Sequence, residues 1–360
     1  MNNEVVLAIN PGSTSTKLAL YDRKGCVKVE KIDHSGTEIC NMISIIDQLP
    51  LRVEIIQRTF KPWLEGKKLV AVVGRGGLVK PIEGGIYAVN DDLMKDTISC
   101  RYATHASNLG ASIANDIAKE YHVPAFVVDP VTVDELIPEA RISGVPEIER
   151  RSRLHALNVN ACVRKEAARI GKPIDQTKFV VVHLGGGITV AAVDRGRVVD
   201  CNDALMGMGP FSPERAGALP LEPLIKMAMS GSYSFKDLYR KLTKNSGVKG
   251  YLGTGDMREV EERIDKGDEK AALIFRAMIY QVAKEIGAMA TVLKGELDSI
   301  IITGGIAHSD RLVRDLSERI NFIADIFVYP GENELESLAA GGFRAIDGEQ
   351  EVHIYVSEPE

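Results

Sequence analysis

Short apolar runs recur along the chain, and each ends in turn chemistry. "VVLAI" (5–9) leads into "NPGSTSTK" (10–17), where a second apolar segment, "LALY", precedes a tight charged turn. "FVVV" (179–182) leads into "HLGGG" (183–187), followed by "TVAAV" and another charged turn. Apolar runs flanking a Gly-, Ser- and Thr-rich turn predict two β-hairpins. "LVAVVGRGG" (69–77), "AFVVDP" (125–130) and "SIIITGGIA" (299–307) are further strand-to-turn segments. Helical spacing of three and four appears over roughly 268–294, at Ile279, Val282, Ile286, Met289, Ala290 and Leu293. A second helix is predicted after Pro146, ending at Gly171 with Pro173 beyond. Ser234 predicts a capped start for "SFKDL". Strands alternating with helices imply an α/β chain with a mixed or parallel sheet covered by helices.

The two hairpins resemble one another. Laid without gaps, "PGSTSTKLALYDRKG" (11–25) falls on "HLGGGITVAAVDRGR" (183–197), with Asp22-Arg23 on Asp194-Arg195 and Ala19 on Ala191. The offset of 172 residues is close to half of the 360-residue chain, which predicts two duplicated halves. The expected join is the Pro-, Glu- and Arg-rich region near 138–152.

The hairpin turns suit phosphate. A Walker loop needs GxxxxGK[ST] between a strand and a helix. "GSTSTK" lacks the second glycine and runs into a strand-like "LALYD". A hairpin turn can still hold phosphate with backbone N–H groups, hydroxyls and a lysine. Three successive glycines, Gly185, Gly186 and Gly187, let a backbone approach a ligand closely. A strand ending at Gly304-Gly305 before a helix is a further place for a nucleotide. The three turns together point to a nucleotide between two similar halves.

Composition narrows the setting. The chain is 45% hydrophobic and 26% charged, with net charge −6, which is ordinary for a soluble protein and argues against general affinity for nucleic acid or anionic membrane. Five scattered cysteines without a CxxC pair (Cys26, Cys40, Cys100, Cys162 and Cys201) favour reduced thiols in a cytoplasm. A signal peptide and a membrane span are not expected.

In the order "NPGSTSTK", "VVGRGG", "ATHASNLG", "FVVDP", "VVVHLGGG", "MGMGPFSPERAGALP", "GTGDMREVEERIDKGDEKA", "ITGGIA" and "ENELE", the chain resembles the acetate kinase and butyrate kinase family nearly end to end. That family lies within the superfamily of sugar kinases, actin and the heat-shock chaperone ATPases. The turns "NPGSTSTK" and "HLGGG" and the segment "GRGGLVKPIEGG" are closer to its butyrate than to its acetate members. The resemblance implies two duplicated ribonuclease H-like (actin-like ATPase) domains with a nucleotide cleft between them. It implies an acyl/phosphate domain over 1–148, completed by a C-terminal helix over about 337–360, and a nucleotide-binding domain over 149–336. It also implies a homodimer or higher homo-oligomer.

The implied reaction moves a phosphoryl group reversibly from ATP to the carboxylate of butyrate or a related C3–C5 acid, branched acids included. The alternatives are a propionate or acetate kinase, and a non-enzymatic nucleotide clamp like actin. By the same resemblance, Arg75 and Arg215 hold the carboxylate and the transferring phosphoryl group, and His155 stabilises that group. Asp129 and Glu334 are the carboxylates linked to Mg2+. Asn10, Ser13, Ser15 and Lys17 form the first phosphate site, with His183 and Gly185 to Gly187 forming the second. Asp256, Met257 and Arg258, with Gly304 and Gly305, surround the adenosine. His105 is a further site histidine. Gly77, Thr104 and Leu154 stand where acetate kinases carry bulkier apolar residues, leaving room for extra methylenes. Each methylene is worth only about 1–3 kcal/mol of discrimination. From the residues alone His155 also suits a helix face, His183 also suits a buried structural role, and Asp129 before Pro130 also suits a simple turn.

Overall fold

Both hairpins form, and each continues into a third antiparallel strand. The computed structural model describes residues 3–42 and 44–359, without the side chains of Cys40 and Asn41. It divides into two units, Met1–Val133 with Asn333–Glu360, and Asp134–Glu332. The first division thus falls ahead of the 138–152 region.

In the first unit, β1 (Glu4–Pro11), β2 (Ser15–Asp22) and β3 (Gly25–Asp33) make an antiparallel meander. Beside β1 lies parallel β4 (Lys68–Arg75), and beside that parallel β6 (Ala125–Val128). The short β5 (Ile86–Ala88) and β12 (Val352–Ile354) extend the sheet, giving the order β12-β5-β6-β4-β1-β2-β3. The strands read as continuous apolar runs because helices cover both faces. Val5, Leu7 and Ile9 pack with Ile56, Phe60, Leu109, Ile113 and Ile117 on one face. Helix Glu334–Ile346 covers the other. A Cβ on Gly341 would lie 2.6 Å from Val128 and one on Gly342 2.8 Å from Val73, so the helix rests on the sheet through bare backbone. This helix ends at Ile346 rather than running on, and the chain then adds β12 to the sheet; Glu360 lies outside the described residues.

The second unit repeats the plan. Strands β7 (Lys178–Leu184), β8 (Ile188–Asp194) and β9 (Arg197–Cys201) form the meander; β10 (Ser299–Gly304) runs parallel to β7, and β11 (Ile326–Pro330) parallel to β10. The order β11-β10-β7-β8-β9 matches β6-β4-β1-β2-β3 strand for strand. Even the register irregularity recurs, between Leu20 and Tyr21 in one meander and between Ala192 and Val193 in the other, 172 residues apart. The turns differ by one residue. Pro11 pairs with Thr16 across residues 12–15, whereas Leu184 pairs with Ile188 across residues 185–187. The gapless overlay therefore holds from β2 and β8 onward.

Helix Glu269–Val292 fills the core of this unit with Ile279, Val282, Ile286 and Met289, and Asp268 caps it by accepting from the Ala271 N–H at 2.9 Å. Ser234 caps helix Phe235–Lys244 in the same way. The helix expected after Pro146 starts only at Ala156, and it ends at Gly171 with φ of 68°. Tertiary bonds claim the segment before it. Arg150 donates to Asp200 at 2.8 Å and to the Cys201 carbonyl at 3.0 Å, and the Arg153 carbonyl accepts from Ala204 N–H at 2.9 Å. Cys26, Cys100, Cys162 and Cys201 are free thiols; Cys40 lies outside the residues whose side chains are described.

Helix Ala156–Ile170 carries a fully buried carboxylate, Glu166. It accepts from Arg169 at 2.7 and 2.8 Å, from the Tyr329 hydroxyl at 2.6 Å and from Ser299 at 2.9 Å. Burial by itself raises its pKa, but the bonds from Arg169, Tyr329 and Ser299 outweigh burial and hold it below the ordinary value. A depressed carboxylate adds stability that is present above the unfolded pKa of about 4.3 and is lost as pH falls through the folded value. Glu166→Gln is expected to lower the melting temperature at pH 7 and to flatten its fall between about pH 5 and pH 3. A variant melting curve that keeps the wild-type acid slope would remove Glu166 from that role.

Candidate functional site

Three parallel strands of the first unit end side by side. Ile9 of β1 pairs with Gly74 of β4, and Arg75 of β4 pairs with Val128 of β6. The next polar positions, Asn10, Arg75 and Asp129, therefore share the carboxyl-terminal edge of the sheet, where α/β folds place ligands. Helix Glu334–Ile346 begins at that edge, entered through Asn333 at φ of 43°. The Glu334 carboxylate is held at both oxygens, one by the Asn10 amide and the other by an Arg75 N–H. Arg75 sits over bare backbone: a Cβ on Gly110 would lie 2.0 Å from its carbonyl oxygen. Asp129 is almost wholly buried with φ of 41°, and it exchanges two bonds with Gly85: its N–H donates to the Gly85 carbonyl at 2.9 Å, and its carboxylate accepts from the Gly85 N–H at 2.8 Å.

The first turn follows Asn10. Ser13 is exposed and Ser15 half-buried, and Lys17 is exposed on β2 directly across from Asn10. Behind the turn lies a polar group that the motif does not reveal. The buried Thr16 hydroxyl is 2.9 Å from His34 Nε2 and 2.9 Å from a guanidinium nitrogen of Arg52, which is fully buried. Burial and the neighbouring Arg52 charge lower the His34 pKa. Arg52 lines up with Ile56 and Phe60 on the buried stripe of helix Leu49–Phe60. A cation at an apolar-stripe position was the available signal.

Gly77 lies two residues beyond Arg75, and a Cβ there would lie 2.7 Å from Asn108 Cα and 3.0 Å from Thr97. Its missing side chain thus serves close packing as well as any ligand. Asn108 accepts from the Leu78 N–H at 2.9 Å and donates to the carbonyls of Ala103 at 2.8 Å and Thr97 at 3.1 Å. One buried amide thereby ties the segment of Gly77 to that of Thr104. Thr104 and His105 are exposed, and His105 caps the following turn by accepting from the Ser107 N–H at 3.2 Å.

The second unit has the same edge. His183, next to last in β7, pairs with Thr303 of β10, Gly304 ends β10, and Gly331 follows β11. His183 stacks on His155, with ring centroids 3.9 Å apart and planes within 11°. Each ring is fixed through Nδ1: His155 to the Thr189 hydroxyl at 2.8 Å, His183 to Asn158 Oδ1 at 2.8 Å. Asn158 donates its amide to the Glu332 carbonyl at 2.9 Å, so its oxygen accepts the proton of His183 Nδ1. Leu154, just before His155, is buried.

The triple-glycine turn leans on Arg215. A Cβ on Gly187 would lie 2.1 Å from an Arg215 nitrogen. Ser212 donates to the Gly186 carbonyl at 2.6 Å and accepts from the Arg215 N–H at 3.1 Å, while the Arg215 guanidinium bonds the Ala204 carbonyl. Burial draws the Arg215 pKa below the usual guanidinium value. At β10, Gly304 has φ of 93°, and a Cβ there would lie 2.3 Å from the Leu184 carbonyl oxygen. Gly305 opens the turn Gly305–His308, ahead of helix Asp310–Ile320. Asp256 caps helix Met257–Asp265, and paired bonds from Arg258 hold its carboxyl at about 2. Asp256 and Arg258 are exposed, but the Met257 side chain packs into the core with Val260. Only the Met257 backbone is left for a ligand. Thr189, Asn158 and Ser212, like Arg52, His34 and Asn108, act on site residues that lie far away in sequence.

The pattern of the acetokinase family matches residues 147–340. The chain is 45% identical over 351 residues to a "Probable butyrate kinase" of Clostridium botulinum (strain Alaska E43 / Type E3), covering 97% of this chain and 99% of that one. It is 47% identical over 352 residues to a "Probable butyrate kinase" of Enterococcus faecalis (strain ATCC 700802 / V583), covering 98% of each. In fold it is similar to the crystal structure of Porphyromonas gingivalis acetate kinase, with a TM-score of 0.80 at 18% identity over 95% of this chain and 100% of that one. The twice-repeated sheet, its two strand-edge clusters and these full-length similarities place the chain in the acetokinase family.

Proposed function

We propose that this chain is an ATP-dependent butyrate kinase, transferring the terminal phosphoryl group of ATP to a carboxylate oxygen of butyrate. A bond forms between that oxygen and the phosphorus, the bond to the bridging oxygen of ADP breaks, and butyryl phosphate and ADP result. The observation that carries this reading is the full-length identity to proteins named butyrate kinases. The chain is a carboxylate kinase; its preference for a four-carbon acid is the finer part of the proposal.

The chemistry fits the residues. A short-chain carboxylic acid has a pKa of about 4–5, near that of Glu, so it is already a nucleophile at neutral pH and needs no general base. The obstacle is repulsion between two anions, which calls for cations and alignment. Arg75, which already holds the Glu334 carboxylate, is assigned to the acid, and Arg215 to the transferring phosphoryl group. A guanidinium fork matches both. His155, oriented by Thr189, donates to a phosphoryl oxygen. Asp129 and Glu334 are assigned to Mg2+, which takes one or two carboxylates and completes its shell with water and phosphate oxygens, and both stand at the carboxyl-terminal edge of the first sheet. When bound, the ion would neutralise phosphate charge. The test is ADP release with and without acid. Release that requires butyrate supports the reading; release at the same rate without any acid would overturn it.

We place the reaction in the cytoplasm, where the four described thiols remain reduced. No helix among the described residues is long and apolar enough to cross a membrane. Helix Leu221–Met229 buries none of its residues, and Leu221, Met229 and Phe235 are 73%, 82% and 84% exposed. Large apolar side chains exposed on this helix and on helix Phe235–Lys244 support a homodimer. Light scattering is expected to give twice the chain mass for the wild type, and one chain mass for Met229→Asp/Phe235→Asp. A double variant that stays dimeric would exclude this face as the interface.

A further inference from the structure

The first turn is held from behind at three successive points. The Ser13 carbonyl accepts from Arg52 at 3.4 Å, the Thr14 carbonyl accepts from the His34 N–H at 2.8 Å, and the Thr16 hydroxyl accepts from Arg52 at 2.9 Å. Arg52 is itself clamped by Gln48, whose side-chain oxygen accepts from two of its nitrogens at 2.8 and 3.0 Å. Gln48 in turn donates to the Ile39 carbonyl at 3.1 Å. Helix Leu49–Phe60 thus fixes a guanidinium beneath the turn.

The consequence follows from peptide geometry. In a trans peptide, the carbonyl of one residue and the N–H of the next point in opposite directions. With the Ser13 carbonyl turned toward Arg52 and the Thr14 carbonyl toward the His34 backbone, the Thr14 N–H points away from Arg52 and the Ser15 N–H away from His34. Two adjacent N–H groups on one side of a turn form an anion-binding concavity. The turn therefore does not depend on its hydroxyls alone.

We propose that Arg52, acting through the Ser13 carbonyl and the Thr16 hydroxyl, is the positioning residue that aims the Thr14 and Ser15 amides at a nucleotide phosphate. This rests on the nucleotide reading of the first turn. Lysine cannot replace it, because one ammonium on a flexible stem does not span Gln48, Ser13 and Thr16 in a fixed fork. The second turn has a counterpart in Ser212 and Arg215, which brace the Gly186 carbonyl and Gly187 from outside the hairpin.

The test compares Thr16→Val, Arg52→Lys and Arg52→Met with the wild type. Binding of a non-hydrolysable ATP analogue is measured by calorimetry, and KM for ATP and for butyrate by steady-state kinetics. Thr16→Val keeps side-chain shape and loses one hydroxyl, so it serves even where Arg52→Met fails to fold. It is expected to weaken analogue binding about tenfold, the worth of one hydrogen bond to a charged group. KM for butyrate should stay within about twofold on the same reasoning. Arg52→Lys should restore folding without restoring binding. Unchanged analogue affinity in folded Thr16→Val, or an equal rise in both KM values, would overturn the proposal. A wild type that binds the analogue but phosphorylates no acid would overturn the kinase reading instead, and the affinity comparison would still decide the role of Arg52.

Discussion

Arg75→Ala is expected to lower kcat with butyrate by about a thousandfold, in the range seen when a cation or donor facing transition-state charge is removed. Affinity for an ATP analogue should stay within about fivefold, since the assigned partner of Arg75 is the acid. The prediction follows from position as well as charge. Arg75 ends a central parallel strand, paired with Val128 and fixed by the close approach of Gly110 to its carbonyl. In the resting chain it holds one oxygen of Glu334 while Asn10 holds the other. On the proposed reading, alanine removes the charge assigned to offset the approach of one anion to another. It also leaves Glu334 with Asn10 alone among these two partners. Arg75→Lys should recover less than a tenth of the lost rate, because an ammonium offers no planar fork. Near-normal turnover in either variant would remove Arg75 from the chemistry.

The second prediction concerns Arg215 and separates charge from placement. Arg215→Ala is expected to cost about a thousandfold in kcat. Gly187→Ala keeps the arginine but puts a methyl 2.1 Å from its guanidinium nitrogen, so the side chain must leave its place. A guanidinium displaced by about an ångström costs on the order of a hundredfold. The double variant should then be no worse than Arg215→Ala alone, because both changes remove one interaction. If the two losses multiply instead, Gly187 acts independently of Arg215, and the bracing of the second turn by this arginine is incorrect. Melting curves for all three variants distinguish loss of rate from loss of fold.

Much of the architecture is legible in the order of apolar runs. The hairpins, the halfway repeat and the caps at Ser234 and Gly171 are local features, set by neighbouring residues and turn chemistry. The 172-residue offset carries further than expected, down to the irregularity that follows Leu20 and Ala192. The helix after Pro146 starts late for a reason no local rule contains. Arg150 and Arg153 bind β9 and the segment after it, so tertiary bonds replace the helical ones. Met257 looked like part of a ligand loop, yet its place at the start of an amphipathic helix turns it into the core beside Val260. His34 and Asn108 were out of reach because each acts on a turn or loop through folding contacts, and a cation on an apolar stripe marks Arg52 without showing what it holds. For Arg52 the partner residues are 36 and 39 positions away. Families of phosphate loops are described by the residues that face the ligand, whereas the residues that hold the loop in shape carry no motif.

The chain-length preference bears most directly on the central claim. Initial rates of acyl hydroxamate formation from acetate, propionate, butyrate, isobutyrate and valerate, each with saturating ATP, give kcat/KM for every acid. The account predicts a maximum at butyrate, with acetate lower by at least about a hundredfold, as two methylenes at about 1–3 kcal/mol each allow. Equal kcat/KM for acetate and butyrate would contradict it.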